Sequence, residues 1–493
     1  MTKPVIIMAT SNGIGAGHLI RSSAIANEMK SFAQPILFSM ANSALEVAES
    51  LDLECEYVPG RDRNWMPRWR WDRYLRDRLV ALIDETGSKV VTFDGVVPYP
   101  GILAAKFKRP QVSYVWIRRG MWRTQPQGIA LNLQSKLIDY IIEPGDLARD
   151  YDNGPTKDRD DAVVTSPVTL FDHLYLMSRG NARKVLNLDV KKLTVLVQLG
   201  VGENDMNERV SLILKTLSRA SNIQVVMTRA PIDKVGNSLS PRKLDLKIVR
   251  YFPLSEVLSA FDAIICASGY NSVHEVIPAG VPTLFVPNSR GTDDQQARAK
   301  WCADSGLALF ADESDLADLE GKVKALLEFK TRKQLKANCR KVTKMNGRRE
   351  IAEILRTLLN ENVTSLVLKR IRHKRILAQS TFERGFSDLA RRIVNWSLRL
   401  AALTFRFLFP HHTLGRGVSK SQVVFATNKK RSIELLKKGL RLEHYLIGSS
   451  RNYLNVRTKI AQKSYQIPIS EFRTNFYSGT FESIPLNSAT KSA

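Results

Sequence analysis

The feature that most constrains this chain is a strand-like run, Asp262-Ala263-Ile264-Ile265-Cys266, that leads straight into Ala267-Ser268-Gly269-Tyr270-Asn271-Ser272-Val273-His274-Glu275. The apolar run has the length of a buried strand. Ser268, Gly269 and Asn271 suit a tight turn, and Ser272 to Ile277 suits the opening of a helix. A small-residue turn entering a helix presents backbone N–H groups and a positive dipole end, which together favour a phosphate. Glu275 falls in the opening turns, where a carboxylate can accept hydrogen bonds from sugar hydroxyls. Leu284-Phe285-Val286-Pro287 reads as the next strand, and Asp293-Asp294-Gln295-Gln296 as the loop after it. Ligands of open parallel sheets bind at such strand-to-helix loops. The expected pocket takes a nucleotide-sugar.

Strand and helix signals alternate on both sides of this segment. Val5–Met8, Ile36–Ser39, Val90–Phe93, Val112–Trp116 and Ile138–Ile142 read as strands of a first unit, with periodic segments such as Ile20–Lys30 between them. Leu193–Val197, Ile223–Met227, Lys247–Arg250, Ala263–Cys266 and Thr283–Val286 make a second series. Alternation of this kind predicts an α/β fold with parallel sheets covered by helices. The acidic stretch Asp150 to Asp161 reads as a surface loop.

Asn12-Gly13-Ile14-Gly15-Ala16-Gly17-His18 follows the first strand and precedes Arg21-Ser22-Ser23-Ala24-Ile25-Ala26. Its glycines are evenly spaced, whereas a dinucleotide fingerprint needs the third glycine three residues after the second. The second strand ends in Leu37-Phe38-Ser39, without an acidic residue for a ribose, so NAD binding is disfavoured. Gly13, Gly15 and Gly17 let a substrate approach the backbone. His18, at a helix start, is a candidate general base for a sugar or lipid hydroxyl, and the positive helix end favours the neutral imidazole.

These two Gly-containing loops, with Ala279-Gly280-Val281-Pro282 and Gln295-Gln296, resemble those of the two-domain (GT-B) glycosyltransferases. The likeness is to the family 28-like group that includes the lipid II N-acetylglucosaminyltransferases and the monogalactosyldiacylglycerol synthases, and it spans roughly residues 3 to 360. It implies two Rossmann-like domains with a cleft between them: residues 1–165 for the acceptor, 166–362 for the donor, and 363–493 as a basic, largely helical extension. It further implies that Ser268, Gly269, Asn271 and Ser272 form the phosphate turn. Glu275 would hold the ribose, and Gln295 and Gln296 would contact the transferred sugar. Gly200 and Gly202 would admit the diphosphate or sugar, and Tyr251 and Phe252 would hold the uracil. On the acceptor side it points to the loop of Gly13, Gly15 and Gly17 and to Arg21, with His18 catalytic; apart from the resemblance, Arg118 and Arg119 after their strand are candidates for an acceptor phosphate, and Asp94 after its strand for orienting an acceptor hydroxyl. His274 is left as structural. Where the lipid II enzymes carry an Arg after the crossing between domains, this chain has Thr169 after Ser166-Pro167-Val168, which moves the expected phosphate contact to Arg229 or Arg21. No cofactor and no metal are expected. The Asp-x-Asp triplets Asp150–Asp152 and Asp158–Asp160 sit in the acidic loop rather than after a strand, and a helix dipole with positive side chains can stabilise a leaving diphosphate.

Composition bears on the rest. Cys55, Cys266, Cys302 and Cys339 are scattered without a Cys-x-x-Cys pair, which suits a reducing compartment. The chain opens without the long apolar region of a cleavable signal, and no run of 18 clean apolar residues suggests a spanning helix. Residues 363–493 hold 24 Lys and Arg against 6 Asp and Glu, which is +18 of the net +26. A tail of that charge calls for an anionic partner, membrane lipid or nucleic acid. Projected as a helix, Arg384 to Phe409 gathers Arg384, Arg391, Arg392, Arg399 and Arg406 on one narrow stripe, with apolar residues around the rest. An in-plane membrane helix has that form, and so does a helix buried in a partner's groove. Lys369, Arg370, Arg372, Lys374 and Arg375 add a polybasic cluster. Arg61 to Arg78 interleaves Trp with Arg, which suits a lipid interface, stacking on single-stranded nucleic acid, or a plain basic helix face.

The expectation is an inverting UDP-sugar glycosyltransferase acting on a lipid-linked or cell-envelope acceptor. It would be cytoplasmic and peripheral on the inner face of the membrane, held there by the extension, with no nucleic-acid partner. A UDP-sugar 2-epimerase of the same fold and a basic RNA-binding protein are the alternatives.

Overall fold

The computed structural model describes residues 3–11, 16–60, 67–123, 128–199, 204–228, 244–288, 292–312, 314–342, 346–383, 444–449, 453–458, 464–468 and 484–485. They divide into two compact units. One takes in the chain up to Arg118, residues 128–142 and the described residues from Ala352 on; the other takes in 119–123 and Glu143 to Ile351.

The seven-stranded sheet comprises β1 (Val5–Thr10), β2 (Gln34–Ser39), β3 (Glu54–Tyr57), β4 (Val90–Asp94), β5 (Ser113–Ile117), β6 (Tyr140–Pro144) and β7 (Val163–Thr165), of which β1 to β5 lie wholly within the first unit. The sheet order is β3-β2-β1-β4-β5-β6-β7. β1 is buried along its whole length, as a parallel strand covered on both faces must be, and that is why it reads as an unbroken apolar run. The order reverses direction between β1 and β4, which pair in parallel with Thr10 beside Asp94. Their carboxyl ends therefore open the crevice where such sheets bind ligands.

Helix Arg68–Thr86 changes the reading of the Trp/Arg segment. Trp71, Tyr74, Leu75, Arg78, Leu79 and Leu82 are all buried, because they recur at the three- and four-residue spacing of one helix face. Trp71 has no exposed surface, donates to the Pro59 carbonyl at 2.8 Å and meets Tyr99 edge-on. Arg78 donates to Glu56 on β3 at 3.0 Å. These two side chains belong to the interior, not to a lipid interface. Trp65 lies outside the described residues.

The second unit repeats the plan with β8 (Leu193–Gln198), β9 (Ile223–Thr228), β10 (Leu246–Val249), β11 (Ala263–Cys266), β12 (Thr283–Phe285) and β13 (Leu309–Phe310), ordered β10-β9-β8-β11-β12-β13. Alternate residues of β11 enter separate cores on the two sheet faces, Ile264 and Cys266 one, Ala263 and Ile265 the other. The reversal falls between β8 and β11, so the turn at Ser268 stands at that crevice. Gly347 is required by close approach, since a Cβ there would lie 2.1 Å from the Ser166 carbonyl oxygen. The expected acidic surface loop is partly interior. Asp152 is 3% exposed and accepts from the Met121 and Gly154 N–H groups at 3.0 and 2.8 Å.

Among its described residues the extension holds one helix and a small sheet. Helix Val363–Glu383 belongs to the first unit. Strands β14 (His444–Ser449), β15 (Tyr453–Thr458), β16 (Ser464–Pro468) and β17 (Ile484–Pro485) form an antiparallel sheet. Tyr, Leu, Ile and Val at alternate positions, as in Tyr453-Leu454-Asn455-Val456-Arg457, give these segments their strand character. The amphipathic stretch 384–409 lies outside the described residues.

Two members of the polybasic cluster are occupied within the first unit. Lys369 donates to Glu361 at 2.8 Å and to the Tyr140 hydroxyl at 2.7 Å. Arg370 is 2% exposed and donates to Asp139 at 2.9 Å. Arg372, Lys374 and Arg375 remain exposed. Removing one partner of a buried ion pair leaves the other charge stranded. Arg370→Ala should therefore cost about 3 kcal/mol in urea unfolding of the full chain, a low-end value because Lys106 also lies 3.0 Å from Asp139. A loss under about 1 kcal/mol would mean that this pair does not anchor the helix. Among the described residues, no helix is long and apolar enough to cross a membrane.

Candidate active site

In the first unit the site grows from the ends of β1 and β4. Helix Gly17–Met29 follows β1 and carries His18 in its first turn, with 12% of its side chain exposed. Asp94, the last residue of β4, is fully buried. His18 Nδ1 and Asp94 Oδ1 are 2.7 Å apart. Arg21, one turn further along the helix and 2% exposed, donates from Nε to Asp94 Oδ2 at 2.8 Å and from Nη2 to Oδ1. Burial alone would raise the Asp94 pKa, but the Arg21 charge and the His18 contact outweigh it and hold the carboxyl below the usual range. An ionised Asp94 takes the Nδ1 proton as its hydrogen bond, which places the imidazole lone pair on Nε2. This is the arrangement of a base held in one tautomer by a carboxylate.

The expected acceptor residues therefore separate. Asp94 and Arg21 are bound to each other behind His18, and Arg21 is turned from a phosphate contact to a charge partner. Gly17 is exposed at the helix start, while Gly13 and Gly15 lie outside the described residues. Arg118 is buried, with its guanidinium 5.6 Å from the centre of the Trp116 ring. Arg119 belongs to the second unit and lies 3.4 Å from Asp293.

In the second unit, Gly269 is the N-cap of helix Tyr270–Ala279. A glycine cap offers no side-chain oxygen to the first-turn N–H groups, so the helix start keeps its capacity for an anion. A Cβ on Gly269 would find no protein atom nearer than Gln295 Nε2, at 3.9 Å. Ser268 is buried and its hydroxyl donates to the Gln295 carbonyl at 2.7 Å. Gln295 Oε1 accepts from the Asn288 N–H at 3.0 Å, and Gln296 Nε2 donates to Asp312 at 3.1 Å. Asn271 and Ser272 are half-buried at the helix start. Tyr251 and Phe252 are half-buried too, with the Tyr251 hydroxyl 3.2 Å from Glu256.

Glu275 is also half-buried, yet desolvation raises its pKa from 4.5 to about 7. Among the described residues its carboxyl has no hydrogen-bond or ion-pair partner. A carboxylate kept dry without donors is poised to receive them from a ligand. His274, by contrast, is interior. Its Nδ1 lies 2.6 Å from the Tyr270 carbonyl and its Nε2 accepts from the Leu147 N–H at 3.0 Å.

Gly200, Gly202 and Arg229 lie outside the described residues. Thr169 uses its hydroxyl to accept from the Phe171 N–H at 3.0 Å, a local turn bond. Sequence reasoning missed Arg298, Asp146 and Asp293, which form a charged network around the buried Arg298 guanidinium, tied to the Ser268 carbonyl. Asp146 and Arg298 are 152 residues apart, so no local pattern signals the contact.

Two Rossmann-like sheets, each with its candidate residues at the reversal of strand order, define a GT-B architecture. The solved structure of the kitacinnamycin glycotransferase shares it, with a TM-score of 0.52 at 14% identity over 73% of this chain and 100% of that one. Residues 194–355 match the glycosyltransferase family 28 C-terminal domain. The UDP-N-acetylglucosamine–N-acetylmuramyl-(pentapeptide) pyrophosphoryl-undecaprenol N-acetylglucosamine transferase of Rhodococcus jostii is 24% identical over 347 residues, 64% of this chain and 85% of that enzyme. Its counterpart in Acinetobacter baylyi is 25% identical over 202 residues, 40% of this chain and 52% of that enzyme. The chain is a GT-B glycosyltransferase. Its second unit carries the match to the family 28 C-terminal domain.

Proposed function

We propose that this enzyme moves a hexose or N-acetylhexosamine from a UDP-sugar to a hydroxyl of a lipid-linked cell-envelope acceptor, with inversion at the anomeric carbon. The observation that carries the donor half is Glu275, a desolvated carboxylate with no partner among the described residues, in the second turn of the helix capped by Gly269. Ribose hydroxyls would supply its missing donors, and the first-turn N–H groups after Gly269 would hold the diphosphate. Gln295 and Gln296 would face the sugar. On the acceptor side, His18 takes the hydroxyl proton on Nε2, Asp94 holds Nδ1–H and stabilises the imidazolium that forms, and Arg21 keeps Asp94 ionised. The acceptor oxygen attacks the anomeric carbon, the bond to the β-phosphate oxygen breaks, and UDP leaves with its charge met by the helix start. A lipid-linked acceptor is supported by the relatives named for an N-acetylmuramyl-(pentapeptide) pyrophosphoryl-undecaprenol acceptor, and a place at the inner membrane face by the +18 charge of residues 363–493.

The test is a transfer assay across UDP-, GDP- and dTDP-sugars with a prenyl-diphosphate sugar acceptor in detergent. Acceptor-dependent turnover of a UDP-sugar is expected. Conversion of a UDP-sugar to its C2 epimer without acceptor would instead establish the epimerase alternative.

Gly269→Ala probes the phosphate turn. The backbone φ of −64° suits any residue, and the methyl would meet no protein atom closer than 3.9 Å. Stability should stay within about 0.5 kcal/mol of wild type, while UDP affinity measured by calorimetry should fall at least about tenfold as the methyl occupies the phosphate's place. Unchanged UDP affinity would move the diphosphate off this turn.

A further inference from the structure

Arg298 lies one turn after Gln295 on helix Gln295–Asp304 and has no exposed surface. Its guanidinium donates in three directions: from Nε to Asp146 Oδ2 at 2.9 Å, from Nη1 to the Ser268 carbonyl at 2.9 Å, and from Nη2 to Asp293 Oδ1 at 3.1 Å. The acceptors belong to three separate stretches of chain. Asp146 follows β6, Ser268 precedes Gly269, and Asp293 precedes Asp294, which caps the Arg298 helix by accepting from the Ala297 N–H at 3.0 Å. A guanidinium offers its donors in a rigid plane, so these stretches are held at fixed mutual distances. A buried cation persists only when its charge and its donors are answered, and two carboxylates and a carbonyl do that here.

The Ser268 contact bears on ligand geometry. The Ser268 C=O and the Gly269 N–H belong to one peptide, and in a trans peptide they point in opposite directions. Tying the carbonyl to Arg298 aims the Gly269 N–H away from the Arg298 side. Asp293 links the same guanidinium to the start of the helix that carries Gln295, whose backbone carbonyl in turn receives the Ser268 hydroxyl.

We propose that Arg298 is the positioning residue of the diphosphate turn, orienting the Ser268–Gly269 peptide through the Ser268 carbonyl and registering Gln295 against it through Asp293. The inference rests on the donor-site reading above. Arg298→Lys keeps the charge but replaces three directed donors by one compact ammonium.

The readout is the affinity for UDP relative to uridine, measured by calorimetry and competition well below each variant's melting temperature. Loss of turn geometry should weaken UDP about tenfold or more and uridine by less than about threefold, because only the phosphates use the turn. Arg183→Lys is the control. Arg183 is equally buried in the same unit and donates to the Ala260 carbonyl at 2.9 Å and Asp262 at 2.8 Å. That variant should lose thermal stability while keeping the UDP-to-uridine ratio. A ratio within about twofold of wild type in Arg298→Lys would overturn the proposal. If Arg298→Lys does not fold, Asp293→Asn, which is isosteric, decides by the same ratio. Should Gly269→Ala and Glu275→Ala also leave UDP affinity intact, the donor reading fails as a whole. Should they weaken it while Arg298→Lys does not, only the positioning role fails.

Discussion

His18→Ala lowers turnover by about 10²–10⁴-fold and leaves UDP affinity nearly intact, the pattern of a lost general base. The expectation rests on the 2.7 Å contact between Nδ1 and a buried Asp94, which puts the proton-accepting lone pair on Nε2. The proposed nucleotide site is in the second unit, so removing an imidazole from the first should move kcat rather than nucleotide binding. Asp94→Asn should act in the same direction, since an uncharged amide no longer stabilises the imidazolium. Single-turnover kinetics with saturating donor separates chemistry from product release. A fall in turnover of less than about tenfold would make His18 a structural residue and send the search for the base elsewhere.

Glu275→Ala should weaken UDP by about ten- to a hundredfold, the equivalent of a charged hydrogen bond worth roughly 1.5–3 kcal/mol. Its pKa of about 7 adds a pH signature. Ribose hydroxyls donate best to the ionised carboxylate, so wild-type UDP affinity should increase from pH 6 to 8. Glu275→Gln does not titrate, and comparing the two proteins cancels the ionisation of the nucleotide's own phosphate. Stability runs the opposite way. Because burial raises this pKa from 4.5, the folded protein holds the proton more tightly than the unfolded chain, and stability is lost as pH rises from about 4.5 to about 7. The nucleotide-free Glu275→Gln protein should therefore melt higher than wild type at pH 8, with a smaller difference at pH 5. Equal pH slopes for UDP binding in the two proteins would remove Glu275 from the ribose.

The two parallel sheets were legible in the sequence because their strands are buried on both faces. Val5-Ile6-Ile7-Met8 and Ala263-Ile264-Ile265-Cys266 show as unbroken apolar runs whatever lies beside them. The turn at Ser268–Gly269 was legible for a related reason, since its character comes from small residues adjacent in the chain. β3 escaped notice: Glu54-Cys55-Glu56-Tyr57 carries two glutamates, and both are buried, Glu56 against Arg78 of the covering helix.

Tertiary structure decided what the charged and aromatic residues do. His18 and Asp94 meet across 76 residues because the sheet order sets β1 beside β4. Arg370 reaches Asp139 across 231 residues and leaves the polybasic cluster. Trp71 and Arg78, interfacial in appearance, turn inward on one helix face while Trp69 stays 39% exposed. Local sequence specifies backbone preference and apolar periodicity. Whether a charge ends in water or on a buried partner depends on which distant segment covers it, and only the folded chain brings that segment into place.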